Sequence, residues 1–427
     1  MPEILAPSAF QIVGQLAALP AVHRAFQWFH LQEPKLREWH RQVVAIPAPS
    51  FGEEARAAWL VTQFRGLGLE DVHIDSCGNA LGWLRAAPER SRSSSSLAAS
   101  SGSSPRHGCI LFSAHLDTVF PADAIGEPVQ DGSRLTAPGA CDNCAGITAL
   151  LAIAAAMQAS GLRPFTDILF AGNVGEEGEG NLRGMRYLFT ASPFARQIRS
   201  AVILDGAGIE TIVAHGLGSR RFRVTILGPG GHSWTDAGMP NPILVLANIL
   251  SDLGRIELPA TPRTTWNVGH IEGGTSINTV PQSAQARIDT RSTDPAMLQR
   301  LEVSIYRAVE DAVLEANAAA GTRGADGPLR FQIELIGDRP GANLPEDAAI
   351  LTRVRAVDRH LNIQSNLRIA STDANIPLSL GIEALSIGSG GRGGGIHTRE
   401  EWFDATGRDL ALRRILLLLL AQAQGDN

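Results

Sequence analysis

Hydrophobic residues follow two alternating patterns along the first half of the chain. Short, continuous apolar runs have the length of buried strands, and between them apolar residues recur with the spacing of one helix face. Strands that alternate with helices in this way predict a largely parallel sheet with helices on both faces. The predicted elements are helices at 20–45 and 53–67, two strands within 71–84, a strand at 110–113, a helix at 146–159, a strand at 167–174, a helix around 182–189 and a strand at 202–205.

The pattern changes near Gly216, where polar and apolar residues begin to alternate as they do in half-buried strands. The next elements follow the order β-α-β-β-α-β, which is that of a ferredoxin-like unit inserted as one block. Its predicted members are strands at 222–227, 264–271, 284–290 and 331–336 and helices at 242–253 and 295–319. After Pro340 the α/β pattern returns, with a helix at 346–361 and a strand at 384–387.

The two patterns predict two domains, as the length of 427 residues also does. The first is an α/β domain of residues 1–216 and 338–427, with a mostly parallel central sheet flanked by helices. The second is the inserted ferredoxin-like α+β domain of residues 217–337.

Composition adds exclusions to this architecture. A hydrophobic content of 44% and a charged content of 19% are those of an ordinary globular protein. A net charge of −6 argues against nucleic acid or an anionic membrane as the principal partner. The basic pair Arg220-Arg221 is predicted to lie on a solvated strand edge. Four cysteines do not make a disulfide framework, and Cys141-x-x-Cys144 is interpreted as two small residues that flank Asp142.

The ends of the chain indicate the compartment of the protein, and a serine-rich stretch predicts a surface loop. The N-terminus has no basic segment followed by an apolar one, so we expect no signal peptide and a cytoplasmic protein. The longest apolar run, 415–421, is too short to cross a bilayer and is predicted to be part of a C-terminal helix packed on the core. Residues 90–104 are rich in serine and predict a flexible surface excursion between two strands.

The candidate chemistry begins at the end of the strand-like run 110–113. His115 and Asp117 are two residues apart, so on a strand they face the same side. A carboxylate that orients a metal-bound imidazole is the natural use of such a pair. A lone histidine at a strand end is more often structural, but the acidic residues further along the chain favour metal ligation here.

Four further acidic residues lie where apolar runs end. Glu176 and Glu177 are adjacent after the run 167–174, and they would repel each other unless cations neutralise them. Adjacent residues point in different directions, so one can bind metal while the other faces the attacking water. Asp142 and Asp205 are each explained, if taken alone, by helix capping or by turn chemistry.

A glycine-rich stretch at 388–395 leads into His397. It lacks the Lys-Ser/Thr ending of a phosphate-binding loop, so it does not indicate nucleotide binding. Glycines permit close approach of backbone to a ligand, and this stretch is predicted to position His397 and to line a substrate pocket.

In this order the motifs resemble those of the co-catalytic zinc metallopeptidases of family M-twenty, which include aminoacylase, carboxypeptidase G, peptidase T and acetylornithine deacetylase. The resemblance extends over nearly the whole chain, and the inserted block resembles that family's lid or dimerisation domain. The motifs that carry it are Ile46-Pro47-Ala48-Pro49-Ser50, His115-x-Asp117-Thr118-Val119, Asp142-x-x-Ala145-Gly146, Glu176-Glu177-Gly178, Gly228-Pro229-Gly230-Gly231-His232-Ser233, Asn278-x-x-Pro281, Asp289-x-Arg291 and Gly395-x-His397-Thr398.

The resemblance implies two divalent metal ions, zinc in the first place with cobalt or manganese as alternatives. The implied ligand sets are His115, Asp142 and Asp205 for one ion, and Asp142, Glu177 and His397 for the other.

It also implies roles for residues that do not bind the metal. Glu176 is expected to be the general base and Asp117 the group that orients the ligand histidine. His232, on the lid, is expected to polarise the scissile carbonyl, often in the active site of a partner subunit, so a homodimer through the lid is expected. Asn278 and Arg291 are expected to bind the polar end of the substrate.

One motif departs from the family's pattern. The family often has Asp-x-Lys-x-Gly or Asp-Asp-Lys, whereas this chain has Asp142-Asn143-Cys144-Ala145-Gly146. The bridging ligand is retained, and an acid and a lysine beside it are absent.

The residues 371–377 and Gly184 resemble the peptidase T-like branch. The favoured function is therefore an exopeptidase that hydrolyses short peptides near a free terminus. The alternative with the same chemistry is an N-acyl-amino-acid deacylase. A non-catalytic relative is less favoured, because Glu176 and all five ligand positions are present.

Overall fold

The computed structural model describes residues 8–87, 108–124, 126–320 and 328–424. The serine-rich excursion predicted at 90–104 lies outside the described residues. The chain divides into two compact units, of which the first comprises Met1–Gly216 and Asn343–Asn427 and the second comprises Leu217–Ala342.

Elements are numbered along the chain. The helices of the first unit are α1 (Ala9–Ala17), α2 (Pro20–Leu31), α3 (Glu33–Val44), α4 (Glu54–Gly66), α5 (Cys144–Ser160), α6 (Arg183–Thr190), α9 (Ala349–Leu361), α10 (Asn375–Ser379) and α11 (Arg408–Ala423). The strands outside the inserted block are β1 (Glu70–Ile74), β2 (Ala80–Leu84), β3 (Cys109–His115), β4 (Val129–Asp131), β5 (Arg134–Thr136), β6 (Asp167–Asn173), β7 (Ile198–Leu204), β8 (Thr211–Gly216), β15 (Ala342–Asn343), β16 (Asn366–Ala370), β17 (Glu383–Ile387), β18 (Arg392–Gly394) and β19 (Trp402–Asp404).

The described residues form a nine-stranded mixed sheet in the order β1-β2-β6-β3-β7-β17-β8-β15, with β16 paired to β8. Its centre is parallel from β6 through β3 and β7 to β17. On one side β2 joins antiparallel to β6, and on the other side β8 joins antiparallel to β17. The predicted α/β class, a central sheet flanked by helices, is confirmed.

Two apolar helices form much of the core beside this sheet. In α5, nearly every residue is buried, and α11 buries the leucine run 416–420. The predicted C-terminal helix on the core is therefore present. A second, small sheet has the order β18-β19-β5-β4. Along the chain, β5 is followed by the loop that carries Asp142, and β18 is followed by the loop that carries His397.

The second unit is a β-α-β-β-α-β block with a short additional ribbon. Its main strands form an antiparallel sheet in the order β11-β13-β9-β14. Its elements are β9 (Gly218–Leu227), β10 (Gly231–His232), α7 (Pro242–Leu253), β11 (Thr264–Gly273), β12 (Thr279–Val280), β13 (Ser283–Ser292), α8 (Pro295–Ala319) and β14 (Arg330–Arg339).

The core of this unit lies between the sheet and its two helices. Alternate residues of β9, namely Phe222, Val224 and Ile226, are buried and pack with Leu246 of α7 and Ile305 of α8. The period of two along the strand and the period of about 3.6 along the helices place these residues on facing surfaces.

Two predicted features differ from the structure. The helix predicted at 20–45 is two helices, because Gln32 leaves helical geometry and Pro34 lies in the first turn of α3, where its missing N–H costs nothing. The prediction that Arg220-Arg221 lies on a strand edge is wrong, because β9 is an interior strand. Arg220 pairs with Glu302.

Within the described residues, no helix has the length and apolar character that a bilayer crossing requires.

Candidate metal centre

Three neighbouring parallel strands carry candidate site residues at their carboxyl ends. His115 is the last residue of β3, Glu176 and Glu177 follow β6, and Asp205 follows β7. These strands are adjacent in the order β6-β3-β7, so their ends meet at one edge of the sheet. Side chains at this edge of an open α/β sheet converge on a common crevice.

Asp142 and His397 reach the same place from loops. Asp142 immediately precedes Asn143, whose side chain caps the N-terminus of α5. His397 follows β18 and has a φ of 64°, and Gly395 before it has a φ of 65°. Glycine adopts left-handed backbone geometry without steric cost because it has no Cβ, which explains a glycine at this turn.

The five side chains form two groups that share Asp142. The first group joins His115 Nε2 to Asp142 Oδ1 at 3.0 Å and to Asp205 Oδ1 at 4.0 Å. The second joins His397 Nε2 to Glu177 Oε1 at 3.0 Å and to Asp142 Oδ2 at 3.3 Å. The two oxygens of Asp142 therefore face different imidazoles, as a carboxylate that bridges two cations would require.

The donor set fits divalent metal ions. Two imidazoles and three carboxylates are ligands that zinc accepts, and His115, Asp142 and Glu177 offer ligand atoms that all lie within 4.8 Å of one another. The ring orientation of His115 also fits, because its Nδ1–H donates to the Asp117 backbone carbonyl at 3.1 Å. That hydrogen bond leaves Nε2 to face Asp142 and Asp205.

The electrostatics of the site show an excess of negative charge. Burial and the nearby Asp142 carboxylate raise the pKa of Asp205 to about 7. Hydrogen bonds to Asp142 and Glu177 raise the pKa of His397 to about 10. In both cases, carboxylates that lie close together favour a bound proton. Bound cations would relieve the charge repulsion among these carboxylates in the same way.

Asp117 organises the protein side of this cluster. Its carboxylate is completely buried and accepts hydrogen bonds from the backbone N–H groups of Glu176 and Glu177, both at 2.9 Å, and from Ser50 Oγ at 2.7 Å. Burial alone would raise the pKa of Asp117, but the contact with His115 and these hydrogen bonds lower it to about 2. Asp117 therefore stays ionised and holds the loop of Glu176 and Glu177 against His115.

A partly buried ion pair supports the same loop through Gly175. Glu53 accepts two hydrogen bonds from Arg183, at 2.8 and 2.7 Å, and one from the Gly175 N–H at 3.1 Å. Gly175 has a φ of 68°, and a Cβ there would lie 2.1 Å from the Arg183 guanidinium. The left-handed backbone and the contact with the Arg183 side chain therefore both disfavour a residue with a Cβ at this position.

Asn143, which the sequence comparison marks as a departure from the family pattern, holds the loop that carries Asp205. Its Nδ2 donates to the Leu204 carbonyl at 2.8 Å, and its Oδ1 accepts from the Gly206 N–H at 3.2 Å. Asn143 therefore forms hydrogen bonds to the backbone on both sides of Asp205. A second residue that sequence reasoning missed, Glu401, is fully buried and accepts from the Asp142 N–H at 2.7 Å.

Two of the remaining candidate residues lie together in the second unit. His232 in β10 pairs with Thr279 in β12, and the Ser233 N–H donates to the Asn278 carbonyl at 3.0 Å. The ring of His232 accepts hydrogen bonds at Nδ1 from the backbone N–H groups of Trp234 and Thr235. A cavity of about 570 Å³ in this unit is lined by Gly230, Gly231 and Thr279 among other residues.

Arg291 lies at the other end of β13 from this ribbon. It is opposite Ser219 in the register, whereas Ser283 at the ribbon end is opposite Leu227. At about 3.3 Å per residue, the strand separates the two ends by roughly 26 Å. Arg291 Nε donates to Asp289 at 2.7 Å, and Asp289 also pairs with Arg221.

Cys141 and Cys144 are both buried and free. Burial raises the pKa of Cys141 to about 12 and that of Cys144 to about 11. Both thiols therefore remain protonated at neutral pH, which gives no support to a redox role.

Comparison with known proteins identifies the family. Residues 111–421 match Peptidase family M20/M25/M40, and the chain belongs to this family. It is a metallopeptidase, a hydrolase of peptide bonds, as the motifs predict.

Individual relatives are more distant. A probable carboxypeptidase of Emericella nidulans is 26% identical over 272 residues, which is 59% of this chain and 61% of that relative, so the similarity spans less than two thirds of its length. The aminopeptidase PepT from Bacillus cereus superposes with a TM-score of 0.67 at 19% identity, covering 90% of this chain and 97% of that one. YXEP of Bacillus subtilis, a dinuclear metal-binding peptidase of the M20 family, superposes with a TM-score of 0.63 at 15% identity, covering 93% and 99%. At these identities the two structures show the shared fold.

Proposed function

We propose that the protein is a metal-dependent exopeptidase that removes residues from the amino end of short peptides, in the manner of a peptidase T-like aminopeptidase. The observation that carries this proposal is the pair of histidine–carboxylate groups that share Asp142, with Glu176 beside them. The superposition with PepT supports the choice of an aminopeptidase.

The residues that would hold the cations are the two groups described above. His115, Asp142 and Asp205 would hold one, and Asp142, Glu177 and His397 the other, with zinc favoured and cobalt or manganese as alternatives. When bound, the two cations lower the pKa of a water molecule and polarise the carbonyl group.

Glu176 is the general base in this proposal. It is 6% exposed, and its backbone N–H is fixed by Asp117, so its carboxylate has little freedom. It takes a proton from the attacking water, holds it while the amide carbon becomes tetrahedral, and gives it to the departing amine. Asp117 orients His115 and fixes this loop at the same time.

His232 supplies a hydrogen-bond donor to the carbonyl oxygen. Because its Nδ1 accepts two backbone N–H groups, the neutral ring carries its proton on Nε2, which is the donor that an oxyanion needs. Asn278 lies on the neighbouring loop and would contact the polar end of the substrate. Arg291 would bind a substrate carboxylate through its guanidinium. Because roughly 26 Å of β13 separates it from the ribbon of His232, more than a short peptide spans, His232 and Asn278 would come from the partner copy of the chain.

The second unit is proposed to be a lid and to join two copies of the chain. Its strand β11 is at one edge of the sheet, and Ile271 on that strand is 57% exposed. Leu244 on α7 is 63% exposed. An unpaired strand edge and exposed apolar residues within one unit suit association with an identical copy.

Two other functions use the same chemistry. Cleavage from the carboxyl end is favoured by the probable carboxypeptidase among the relatives. Removal of an acyl group from an N-acyl amino acid needs the same water activation and differs mainly in the group on the carbonyl side of the scissile bond.

Peptides with blocked ends separate these functions. The purified protein, loaded with zinc, manganese or cobalt, is incubated with a tripeptide in three forms, which are free, N-acetylated and C-amidated, and with N-acetyl amino acids. Products are identified by mass spectrometry. The aminopeptidase proposal predicts cleavage of the free form, slower cleavage of the amidated form, which lacks the terminal carboxylate that Arg291 would bind, and no cleavage of the acetylated form.

The reverse result, in which the acetylated tripeptide loses its last residue and the amidated one is stable, would assign a carboxypeptidase. Release of acetate from N-acetyl amino acids alone would assign a deacylase. No cleavage of any substrate with any of the three metals would contradict catalysis by this site.

A further inference from the structure

We infer that Glu401 is a positioning residue for the metal centre, which fixes the bridging carboxylate of Asp142 and ties its loop to the loop of His397. This inference rests on the proposed metal ligation and adds a residue that does not itself contact the ions.

Glu401 holds the backbone beside Asp142 with both of its carboxylate oxygens. Oε1 accepts from the N–H groups of Cys141 and Asp142, at 2.8 and 2.7 Å, and Oε2 accepts from the Gly139 N–H at 3.2 Å. The side chain is fully buried. A carboxylate is the one side-chain group that can accept all three hydrogen bonds, because both of its oxygens are acceptors.

The same residue belongs to the turn that presents His397. The Glu401 N–H donates to the Thr398 carbonyl at 3.2 Å, and the Thr398 N–H donates to the Gly395 carbonyl at 2.9 Å. The Glu401 carbonyl in turn accepts from the Ala137 N–H at 2.9 Å. The loop 137–142 and the turn 395–401 are therefore joined through the main chain and the side chain of one residue.

A contact on the same loop limits its movement further. His40 is fully buried and donates from Nε2 to the Ala140 carbonyl at 2.7 Å. The backbone that carries Asp142 is thus held at its N–H groups by Glu401 and at a carbonyl group by His40. Displacement of this backbone would move both oxygens of Asp142, and each of them faces a different imidazole.

Glu383 provides a matched control for a purely structural role. It also accepts two backbone N–H groups, those of Ala349 and Ile350, both at 2.9 Å, at the start of α9. It lies at the start of β17 rather than on a ligand loop. Replacing it by glutamine removes a comparable carboxylate-to-backbone interaction without touching either loop of the metal centre.

The experiment compares zinc binding by the full-length wild-type protein, E401Q, E401D and E383Q. Each protein is stripped with a chelator, dialysed against buffered free zinc, and its metal content is measured by mass spectrometry. E401Q places an amide NH₂ against a backbone N–H and should weaken zinc binding about 10- to 100-fold, the range found for residues that support metal ligands. E401D keeps the charge at a shorter reach and should bind with intermediate affinity, and E383Q should bind as the wild type does.

Thermal unfolding separates positioning from general stability. In chelator, E401Q and E383Q should melt at similarly lowered temperatures. Added zinc should raise the Tm of E383Q by as much as it raises the Tm of the wild type, and should raise the Tm of E401Q by less. If E401Q does not fold, the same comparison is made with E401D.

If E401Q is folded and binds two zinc ions with wild-type affinity, the positioning role of Glu401 is overturned and the proposed metal centre stands. The same result for E401D decides the question if E401Q does not fold. Failure of the wild type to bind two ions would overturn the proposed metal centre itself, so the two failures are distinguishable.

Discussion

The candidate metal centre of the first unit and the candidate substrate residues of the second unit are held in different ways. Around the metal centre, His115 is 2% exposed, and Asp117, Asn143 and Glu401 fix the backbone beside the ligands from within the core. In the second unit, His232 is exposed, and its ring is held by the next residues of its own loop.

The difference follows from the charges that each region must keep in place. Several carboxylates close together repel each other when no cation is present, so their positions depend on buried hydrogen-bond donors and acceptors. A residue that contacts the substrate must remain accessible to it, and local hydrogen bonds are sufficient to orient one ring. Changes to the proposed ligands of the first unit and to the residues that hold them should therefore affect metal affinity, and changes to the candidate substrate residues of the second unit should leave it unchanged.

The largest effect is expected for Glu176→Gln. Loss of general acid–base catalysis should lower kcat by about 10²–10⁴-fold, and because Glu176 is not among the proposed ligands the metal content should stay at the wild-type value, near the proposed two ions per chain. Steady-state kinetics and metal analysis of one preparation test both statements. A variant that kept most of its activity would show that Glu176 is not the base.

His232→Ala should lower kcat by about 10²–10³-fold, the usual result of removing one oxyanion donor. Bound metal and Tm should stay at the wild-type values, because His232 is exposed and lies in the other unit. Mixing this variant with Glu176→Gln tests whether the residue acts across a dimer, since mixed dimers would then regain activity. Loss of metal from His232→Ala would contradict the distinction between the two regions.

Asp117→Asn should weaken metal binding by about 10–100-fold, because the carboxylate contacts His115, a proposed ligand, and accepts from the backbone N–H groups of Glu176 and Glu177. Ser50→Ala removes a single hydrogen bond to the same carboxylate and should have a smaller effect, of about 1 kcal/mol. Zinc titration of both variants gives their order. Equal losses would show that Ser50 contributes as much as the charge does.

The last expected effect is a dependence of stability on pH that arises in the first unit. Burial, with the charge of Arg408, lowers the pKa of His40 to about 3. Between about pH 6.5 and pH 3 the unfolded chain binds a proton at this residue and the folded chain does not, so this contribution to stability decreases as the pH falls. Its slope is at most about 1.4 kcal/mol per pH unit.

His40→Gln keeps a donor for the Ala140 carbonyl and removes the titrating ring. Its unfolding free energy should fall less steeply than that of the wild type between pH 6 and pH 4, measured by urea denaturation in chelator so that metal release does not contribute. Parallel curves for the two proteins would contradict the assignment. His270→Gln in the second unit is the control, because that ring is nearly half exposed.

Elements whose own residues determine their boundaries were predictable from the sequence. The helices α7 and α8 occupy the predicted ranges 242–253 and 295–319, since Asn241 and Asp294 cap them and a proline begins each. Short strands such as β18 and β19 were missed, because three residues carry no hydrophobic period and form strands only through their pairing.

The sequence by itself also identified the side chains with ligand chemistry, because His115, Asp142 and Glu177 carry that chemistry in their own atoms at the ends of apolar runs. It did not identify Glu401, whose hydrogen-bond partner Asp142 is 259 residues away. Backbone N–H groups are the same in nearly every residue, so no sequence motif marks the ones that will donate a hydrogen bond to a buried carboxylate. The convergence of the ligands and the residues that hold them were therefore decided by the tertiary structure.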